Sequence, residues 1–352
     1  MRDLVCNKDV QNDEFTLKVG NNRFYFCSQD CLEKFKTNPK DFIEQHINDL
    51  IIIGAGPAGL TAAVYASTLR INTFLISIEM GGQIIDSSKI ENYLGFQLIS
   101  GPELIKKFED QLFHYKYVDH VIDVVLSVKK KDEIFYVETI SGETYRAHSI
   151  IVASGMQRRQ LNVPGEKKFL RRGVTYNLSQ DLHIFANKTV AIVGGGNSAL
   201  QGILELAKYK CSIVNISIMP WIADQYLIEK VEKVSNLIVL DKHQVVEIRG
   251  EDRVEGVMVR NLENNENKFY AAEGVAIAIG YSPNSSIVKQ LVDLNKKKEI
   301  VINNECCTRT LGLFACGDVT NILGKRIIIA SGEGAKAVLS AKRFLFELNE
   351  AK

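Results

Sequence analysis

An uninterrupted apolar run, Leu50–Ile53, precedes the segment around which the rest of the chain is organised. A run this short and this rich in branched residues predicts a buried parallel strand. Gly54-x-Gly56-x-x-Gly59 follows directly, and Leu60–Leu69 predicts a tightly packed helix. Between such a strand and such a helix, glycines allow a sharp turn and let a pyrophosphate approach the helix N-terminus. We therefore predict a dinucleotide site formed by Gly54, Gly56, Pro57, Ala58 and Gly59.

The same strand–glycine–helix pattern returns later in the chain. The apolar strand Thr189–Val193 leads into Gly194-Gly-Gly196-Asn-Ser-Ala199 and a helix that runs through about Tyr209. Two such units predict two dinucleotide-binding folds. The second site is predicted at Gly194, Gly196, Asn197, Ser198 and Ala199.

The strand after the second glycine turn, Cys211–Ile218, lacks the usual ribose-binding group. It has no acid for a ribose 2′-hydroxyl and no arginine pair for a 2′-phosphate. Two interpretations stay open. Either a nicotinamide coenzyme binds here through Asn215, or the fold is kept while coenzyme binding is weak or lost.

Further apolar stretches predict the sheet around the first site. Thr73–Ile78 predicts a strand that ends near Glu79, an acid slightly past the usual ribose-binding position. Gly81-Gly82-Gln83 permits close approach of the backbone to a ligand, with a plain glycine turn as the alternative. We predict contacts to the cofactor from Glu79, Gly82 and Gln83.

The remaining pattern predicts antiparallel strands and a second contribution to the first site. Val118–Val128, Ile134–Thr139 and Glu143–Ala147 alternate as antiparallel strands do. Leu313-Phe-Ala-Cys-Gly317-Asp318 predicts a short strand ending in an acid, and Asp318 is placed to bond a polyol chain.

Residues 1–46 differ from the rest: they are polar and hold three of the seven cysteines, Cys6, Cys27 and Cys31. Ser28–Phe35 predicts a short helix, on which Cys27 and Cys31 would share one face and hold a soft metal ion with Cys6. Three thiolates are one ligand short of a closed zinc site. Ordinary core cysteines of a small domain are the alternative.

Composition excludes several classes of partner. Lys and Arg number 43 against 42 Asp and Glu, which gives a net charge of +1 and no indication of nucleic acid or membrane binding. No apolar run approaches the ~20 residues that span a bilayer, and the N-terminus shows no signal peptide. Seven cysteines, unevenly placed, indicate a reducing cytoplasm.

Residues 48–348 resemble the low-molecular-weight thioredoxin reductases and the C-terminal part of the alkyl hydroperoxide reductase flavoprotein. The motifs that carry this resemblance are Gly54–Gly59, Gly81–Gln83, Ile90–Tyr93, Ala153–Gly155, Gly194–Ala199, Leu313–Asp318 and Arg326–Gly334. It implies FAD at the first fingerprint, NAD(P)H at the second, and a homodimer whose middle domain rotates. It also implies flavin contacts at Asn92, Ser154, Gly155, Gly317, Asp318, Arg326, Ile327 and Ile328.

The N-terminal segment resembles a YHS domain, a small module of metal-handling proteins. The resemblance rests on Asp3–Val10, Phe24–Phe35 and Asn38-Pro39. It implies metal contact for Cys6, Cys27 and Cys31, with zinc or another soft metal.

The chain departs from the thioredoxin reductases at their chemical centre. Their redox-active Cys-x-x-Cys follows a tyrosine that matches Tyr176, but Asn177 and Gln180 stand where the two thiols would be. Amides can neither attack a disulfide nor resolve one, so thioredoxin reduction by that route is excluded. Cys211 and Cys316 are predicted to be core residues, and Cys306-Cys307 unbridged neighbours.

The predicted fold is α/β, with two Rossmann-like, three-layer ββα dinucleotide-binding domains, the middle one inserted in the FAD domain, plus a small α+β module. The domains are 1–46 (metal-binding type), 47–162 (FAD, first part), 163–273 (NAD(P)H type) and 274–352 (FAD, second part). No residue is assigned as an acid or base, because the flavin carries the chemistry.

We expect a cytoplasmic FAD-dependent oxidoreductase that moves electrons from NAD(P)H or a protein donor to a metal- or thiol-linked acceptor. The N-terminal thiols are hypothesised to dock near the flavin as its electron partner. Three alternatives stay open: a ferredoxin- or flavodoxin-linked reductase, a metal-sensing or metal-carrying protein on a flavoprotein scaffold, and an atypical thioredoxin reductase.

Overall fold

The structure, a computed structural model, describes residues 3–6, 8, 10, 14–19, 22–39, 42, 46–87, 89–115 and 117–350. The strands in chain order are β1 Phe15–Val19, β2 Asn22–Phe26, β3 Ile47–Ala55, β4 Thr73–Met80, β5 Val118–Ile122, β6 Val125–Lys131, β7 Ile134–Thr139, β8 Thr144–Val152, β9 Met156–Arg158, β10 Val174–Thr175, β11 Thr189–Val193, β12 Ser212–Ser217, β13 Leu237–Asp241, β14 His243–Arg249, β15 Gly256–Asn261, β16 Asn267–Ala271, β17 Gly274–Ile277, β18 Tyr281–Pro283 and β19 Leu313–Ala315. The α-helices are α1 Gln29–Thr37, α2 Pro57–Thr68, α3 Gly101–His114, α4 Leu178–Asp181, α5 Asn197–Lys208, α6 Gln225–Val231 and α7 Ile327–Glu350. Short 3₁₀ helices cover Gly82–Asp86, Leu182–Phe185, Ser286–Val288 and Gly317–Val319.

The chain divides into two compact units. The first comprises Met1–Met156 and Pro283–Lys352, and the second Gln157–Ser282. In the first unit the main sheet has the order β5-β4-β3-β8-β7-β6, with β19 beside β8. Leu50 and Ile52 of β3 pack on one face with residues of α2 and α7, while Ile51 and Ile53 pack on the other with residues of β6 and β7. This two-sided burial explains the unbroken apolar run.

The second unit is built around an all-parallel sheet of order β10-β17-β11-β12-β13. A separate antiparallel sheet, β14-β15-β16, packs with it through Val245, Val257 and Val259. On the other face α5 contributes Ala199, Leu200 and Ile203 to a second core. The unit therefore has the three layers expected of a Rossmann-like ββα domain.

The N-terminal module is small. β1 and β2 pair in antiparallel register, and α1 packs its buried Cys31, Leu32 and Phe35 on Phe24 and Phe26 of β2. Its core is therefore largely aromatic, with Phe35 5.0 Å from Phe26 between ring centroids.

One predicted strand is corrected. Val118–Val128 divides into β5 and β6, and β5 runs parallel to β4, whereas β6 is antiparallel to β7. The antiparallel prediction was wrong for the first half. Alternation of apolar and polar residues shows that one face of an edge strand is exposed, but it does not show whether the strand runs parallel or antiparallel to its neighbour. The strands Ile134–Thr139 and Thr189–Val193 are confirmed at their predicted bounds.

Candidate functional sites

The first glycine turn is shaped by contacts that leave no room for side chains. Gly54 has φ +105, and a Cβ there would lie 2.4 Å from the carbonyl oxygen of Ala153. A Cβ on Gly59 would lie 1.7 Å from the carbonyl oxygen of Gly54. At Gly56, in contrast, an added Cβ would meet nothing within 4 Å. The turn is thus packed against the protein at two glycines and open at the third.

The helix after this turn begins without a side-chain cap. Gly56 is the N-cap of α2 and offers no side-chain hydrogen bond, whereas Ser100 and Glu103 form a reciprocal capping box on α3. The first N–H groups of a helix need acceptors, and a phosphate supplies them. An open turn and uncapped N–H groups fit the pyrophosphate of FAD.

Residues from distant segments converge on this turn. Gly82 lies beside Gly56, since a Cβ on Gly82 would be 3.3 Å from the Gly56 Cα atom. Gly317, at φ +74, lies beside Ala58 at the start of α2, since a Cβ on Gly317 would be 2.9 Å from the Ala58 Cβ. Gln83 donates through Nε2 to the Met156 carbonyl at 2.8 Å. The turn at 54–59, Gly82 and Gly317 are therefore brought together.

Asp318 follows Gly317 in the short 3₁₀ helix that precedes α7. Burial raises the pKa of Asp318, and the positive charges of Lys325 and Arg326 act in the opposite direction. Arg326, Ile327 and Ile328 lie at the start of α7, which begins at Ile327. An acid and a helix N-terminus at this place can bond a polyol chain and a flavin ring edge.

Ser154 and Gly155 are fixed by the residue that follows β18. Ser154 Oγ donates to the Asn284 carbonyl at 2.8 Å, and Asn284 Nδ2 donates to the Ser154 carbonyl at 2.9 Å. Asn284 N–H donates to the Gly155 carbonyl at 3.0 Å. Glu79 and Asn92 are different, because both are exposed, with no described bond to the glycine turns.

The second glycine turn repeats the first. Gly194 has φ +135, and a Cβ there would lie 2.3 Å from the Ala278 carbonyl oxygen, while Gly196 again faces open space. Gly196 is the N-cap of α5 and, like Gly56, provides no side-chain cap. Asn197 is held by Asp224, since Nδ2 donates to Asp224 Oδ2 at 2.9 Å. Ser198 and Ala199 complete the first turn of α5, so this site also fits a dinucleotide phosphate.

Asn215 does not face a ligand. It is fully buried, and its Nδ2 donates to the carbonyls of Ile192 at 3.2 Å and Gly194 at 2.8 Å. Its Oδ1 accepts from Trp221 Nε1 at 2.7 Å. With its amide fully engaged, Asn215 holds the glycine turn in place, and the interpretation in which the coenzyme binds through Asn215 is wrong.

The position at which the resemblance to thioredoxin reductases implies a dithiol lies in α4 and its N-cap. Tyr176 donates its hydroxyl to Glu166, and burial and then this bond raise the pKa of Tyr176. Glu166 is buried and also accepts N–H bonds from Leu161 at 2.8 Å and Asn162 at 2.7 Å. Asn177 is the N-cap of α4, and Gln180 lies within α4, its side chain outside the described part.

A cavity of about 250 Å³ opens beside Asn177 within the second unit. Sequence patterns did not indicate it, because its walls come from separate elements. Its polar lining includes Arg158, Arg159, Ser198, Gln201 and Glu205. None of the described residues that line it is a cysteine, so these walls offer no group able to exchange with a disulfide.

The cysteines outside the N-terminal module are unbridged and mostly buried. Cys211 donates to the Phe185 carbonyl at 3.0 Å, and burial raises its pKa. Cys306 donates to the buried Glu333 at 3.1 Å, and Cys316 is fully buried. Burial also raises the pKa of Cys306 and Cys316. Cys211 and Cys316 are thus core residues, as predicted, and buried thiols of this kind are poor nucleophiles.

The N-terminal cysteines form a compact cluster. Cys27 Sγ lies 3.4 Å from Cys6 Sγ and 3.8 Å from Cys31 Sγ. A tetrahedral zinc ion with Zn–S bonds of ~2.3 Å holds its sulfurs ~3.8 Å apart. The spacing of the three thiols therefore fits a tetrahedral soft metal ion.

Asp3 belongs to the same cluster, and no sequence motif pointed to this role. Its carboxylate and the three Sγ atoms all lie within 4.8 Å of one another. Asp3 is fully buried, and it accepts N–H bonds from Val5 and Cys27, both at 2.7 Å, and from Cys6 at 3.3 Å. The Asp3 carboxylate, and after it the Cys6 thiol and burial, raise the pKa of the Cys27 thiol to about 12. Asp3 thus holds two of the cysteine backbones in place.

The module packs away from Asp318. β2 lies beside β5, which is one edge of the main sheet, while β19 and Asp318 are reached only after β4, β3 and β8. Four strand spacings of ~4.8 Å amount to ~19 Å. The thiols that follow β2 are therefore not adjacent to Asp318, and the hypothesised docking near the flavin is not seen within one chain.

Among the helices of the described residues, none is long and apolar enough to cross a membrane.

Comparison with known proteins places the chain in a family. The chain is 36% identical over 310 residues to an alkyl hydroperoxide reductase component of Escherichia coli, covering 86% of this chain and 59% of that protein. It is 32% identical over 310 residues to an NADH dehydrogenase of Bacillus subtilis, covering 88% of this chain and 61% of that protein. The chain thus spans about 60% of the length of these curated relatives.

The thioredoxin reductase of Lactococcus lactis, solved in its FR conformation, superposes with a TM-score of 0.68 at 29% identity, covering 85% of this chain and 99% of that one. The predicted thioredoxin reductase-like fold is thereby confirmed. Residues 48–337 match the pyridine nucleotide-disulphide oxidoreductase family. The chain belongs to this family of FAD- and NAD(P)H-using oxidoreductases.

Proposed function

We propose that the protein passes electrons from NADH or NADPH to an acceptor outside the chain, with no internal dithiol relay. The observation that carries this proposal is the pair Asn177 and Gln180 at the start of α4. Neither amide can form a mixed disulfide. The cavity beside Asn177, whose described lining holds no cysteine, supports the same conclusion.

FAD, when bound, supplies the electron-transfer chemistry. The turn at Gly54–Gly59 and the N-terminus of α2 hold its pyrophosphate. Gly82, Ser154 and Gly155 shape the cleft, and Asp318 with the start of α7 orients the polyol chain and the flavin ring. Gly194–Ala199 hold the pyrophosphate of the nicotinamide coenzyme. A homodimer belongs to this proposal, and sedimentation equilibrium tests it.

An anaerobic titration tests the proposal. We expect NADH or NADPH to bleach the yellow flavin absorbance stoichiometrically, while an insulin-coupled assay shows no thioredoxin reduction. A dithiol-containing thioredoxin reductase serves as the positive control for the second assay. Thioredoxin reduction by this chain would contradict the proposal. Bleaching by reduced ferredoxin alone would establish the ferredoxin-linked alternative.

The thiol cluster supports a second candidate function, metal sensing or transport on a flavoprotein body. Cys6, Cys27 and Cys31 would be its ligands, with Asp3 as their support. This candidate predicts tight binding of one soft metal ion and a flavin that neither nicotinamide nor ferredoxin reduces. The same titration separates it from the oxidoreductase, because bleaching excludes a merely structural flavin.

A further inference from the structure

The adenosine end of the second nucleotide site lacks an acid on its own strand. In a Rossmann-like fold the ribose of the coenzyme lies beyond the end of the strand that follows the glycine turn. That strand is β12, which ends at Ser217, and its Asn215 is fully engaged inside the fold. The side chain that binds the ribose hydroxyls must therefore come from another element.

The neighbouring strand brings an acid to this place. β12 and β13 are parallel, and their register pairs Ser217 with Asp241, the last residue of β13. Asp241 Oδ1 lies 3.2 Å from Ser217 Oγ. The Ser217 hydroxyl donates its stronger bond, at 2.7 Å, to the Met219 carbonyl, which leaves the Asp241 carboxylate oxygens able to accept further bonds. Asp241 is exposed, so a ligand can reach it.

The charges around Asp241 disfavour a second anion. The adjacent Lys242 is directed to Glu263, with Nζ 2.5 Å from Oε1. His243 contacts the main-chain carbonyl of Asp241 at 2.6 Å and not its carboxylate. No arginine is on β12 or β13. A 2′-phosphate at this point would face a carboxylate whose nearest lysine is already paired.

Exposed apolar side chains stand next to the acid. Ile218 and Met219, directly after Ser217, are 59% and 46% exposed. Apolar surface beside a ribose-binding acid suits an adenine ring, which binds by its faces as well as by its edges.

We infer that Asp241 binds the adenosine ribose hydroxyls and makes the second site selective for NADH over NADPH. This inference rests on the proposed use of a nicotinamide coenzyme. Asp241 takes the place of the acid that β12 lacks, and the register of β13 beside β12 positions it. The selectivity arises because the carboxylate accepts bonds from a ribose diol and repels a 2′-phosphate.

Stopped-flow reduction of the holoenzyme by NADH and by NADPH tests the inference. Asp241→Asn is expected to raise the apparent Kd for NADH about ten-fold or more, because a charge-assisted bond is lost. The limiting rate of flavin reduction is expected to stay unchanged. Asp241→Arg is expected to reverse the preference toward NADPH. A merely structural role would lower the limiting rate or the flavin content as well. Asp252→Asn, an exposed acid elsewhere in the same unit, is the matched control.

Calorimetry with ADP-ribose separates two kinds of failure. If wild-type protein binds ADP-ribose and reduces with NADH, and Asp241→Asn does both equally well, the inference is wrong and the proposed function stands. If wild-type protein binds neither ADP-ribose nor NADH, the proposed donor and the inference fail together. A wild-type preference for NADPH would also overturn the inference and leave the proposed function intact.

Discussion

The Sγ atoms of Cys6 and Cys27 lie 3.4 Å apart although 21 positions separate the two residues. The fold of the module thus brings the thiols together, because β2, α1 and the buried Asp3 fix the backbone on both sides. Thiolates grouped in this way are the ligands that a soft metal ion prefers.

Substitution of the central cysteine tests the metal site. We expect the wild-type chain to bind one equivalent of Cd²⁺ with thiolate-to-metal absorption, and Cys27→Ser to lose this absorption, because Cys27 contacts both other sulfurs. Flavin reduction by NADH should be unchanged, since β2 lies at the far edge of the main sheet from Asp318. Cys307→Ser, a half-exposed thiol outside the cluster, is the control. Slower flavin turnover in Cys27→Ser alone would support the hypothesis that the module accepts electrons.

Asp3→Asn probes the support of the same cluster. One carboxylate oxygen accepts from Val5 and Cys6 and the other from Cys27, so an amide sets its NH₂ group against an N–H donor on one side and displaces the backbone at a cysteine. Loss of such outer support typically lowers metal affinity about 10- to 100-fold. Competition with a chromophoric chelator measures the change. An unaltered affinity would mean that Asp3 serves the fold only.

Two glycines of the first turn give a matched pair for the flavin site. Gly56→Ala adds a methyl group where nothing lies within 4 Å and where φ is −73, so the apoprotein should keep its stability. The methyl group would instead occupy the space expected of the pyrophosphate, and FAD content after purification should fall. Gly59→Ala directs its Cβ at the Gly54 carbonyl, so it should destabilise the chain by roughly 3 kcal/mol with or without flavin. Wild-type flavin content in Gly56→Ala would place the pyrophosphate elsewhere.

Asp119 should make stability depend on pH. Burial on β5 raises its pKa from 3.8 to about 7. Because the folded-state pKa is the higher one, the stabilising contribution is complete below pH 3.8 and is lost as the pH rises to about 7. Asp119→Asn should therefore resemble wild type at pH 4 and exceed it at pH 8, by at most about 4 kcal/mol.

Thermal melts at the two pH values measure this difference, with Asp252→Asn as the control for loss of an exposed acid. An identical change in Tm at pH 4 and pH 8 would show that Asp119 keeps an ordinary pKa in the folded chain.

The sequence predicted the candidate sites best where one local pattern determines both the backbone turn and the ligand contact. Gly54–Gly59 and Gly194–Ala199 predict a turn because backbone conformation and phosphate approach both require glycine. Asp3 and Asp241 were missed for the opposite reason: each becomes relevant only through a partner on another element, Cys27 in one case and Ser217 in the other. The sequence around a single acidic residue does not show which strand register or turn will bring that residue to a site.

Asn215 shows that a position in the sequence does not fix a role. It lies near the end of β12, where a coenzyme contact was possible, but both faces of this strand are buried and the amide donates to the Gly194 carbonyl. The cavity beside Asn177 was equally invisible, because α4, α5 and β17 form its walls together.

The N-termini of α2 and α5, which lack a side-chain cap, have a consequence for the stability of the protein in a cell. The free N–H groups at the start of each helix find their acceptors in a bound cofactor. The supply of riboflavin, from which FAD is made, therefore affects the stability of the folded chain. Chains made during riboflavin shortage should unfold at a lower temperature, and added FAD should raise their Tm before any turnover is measured.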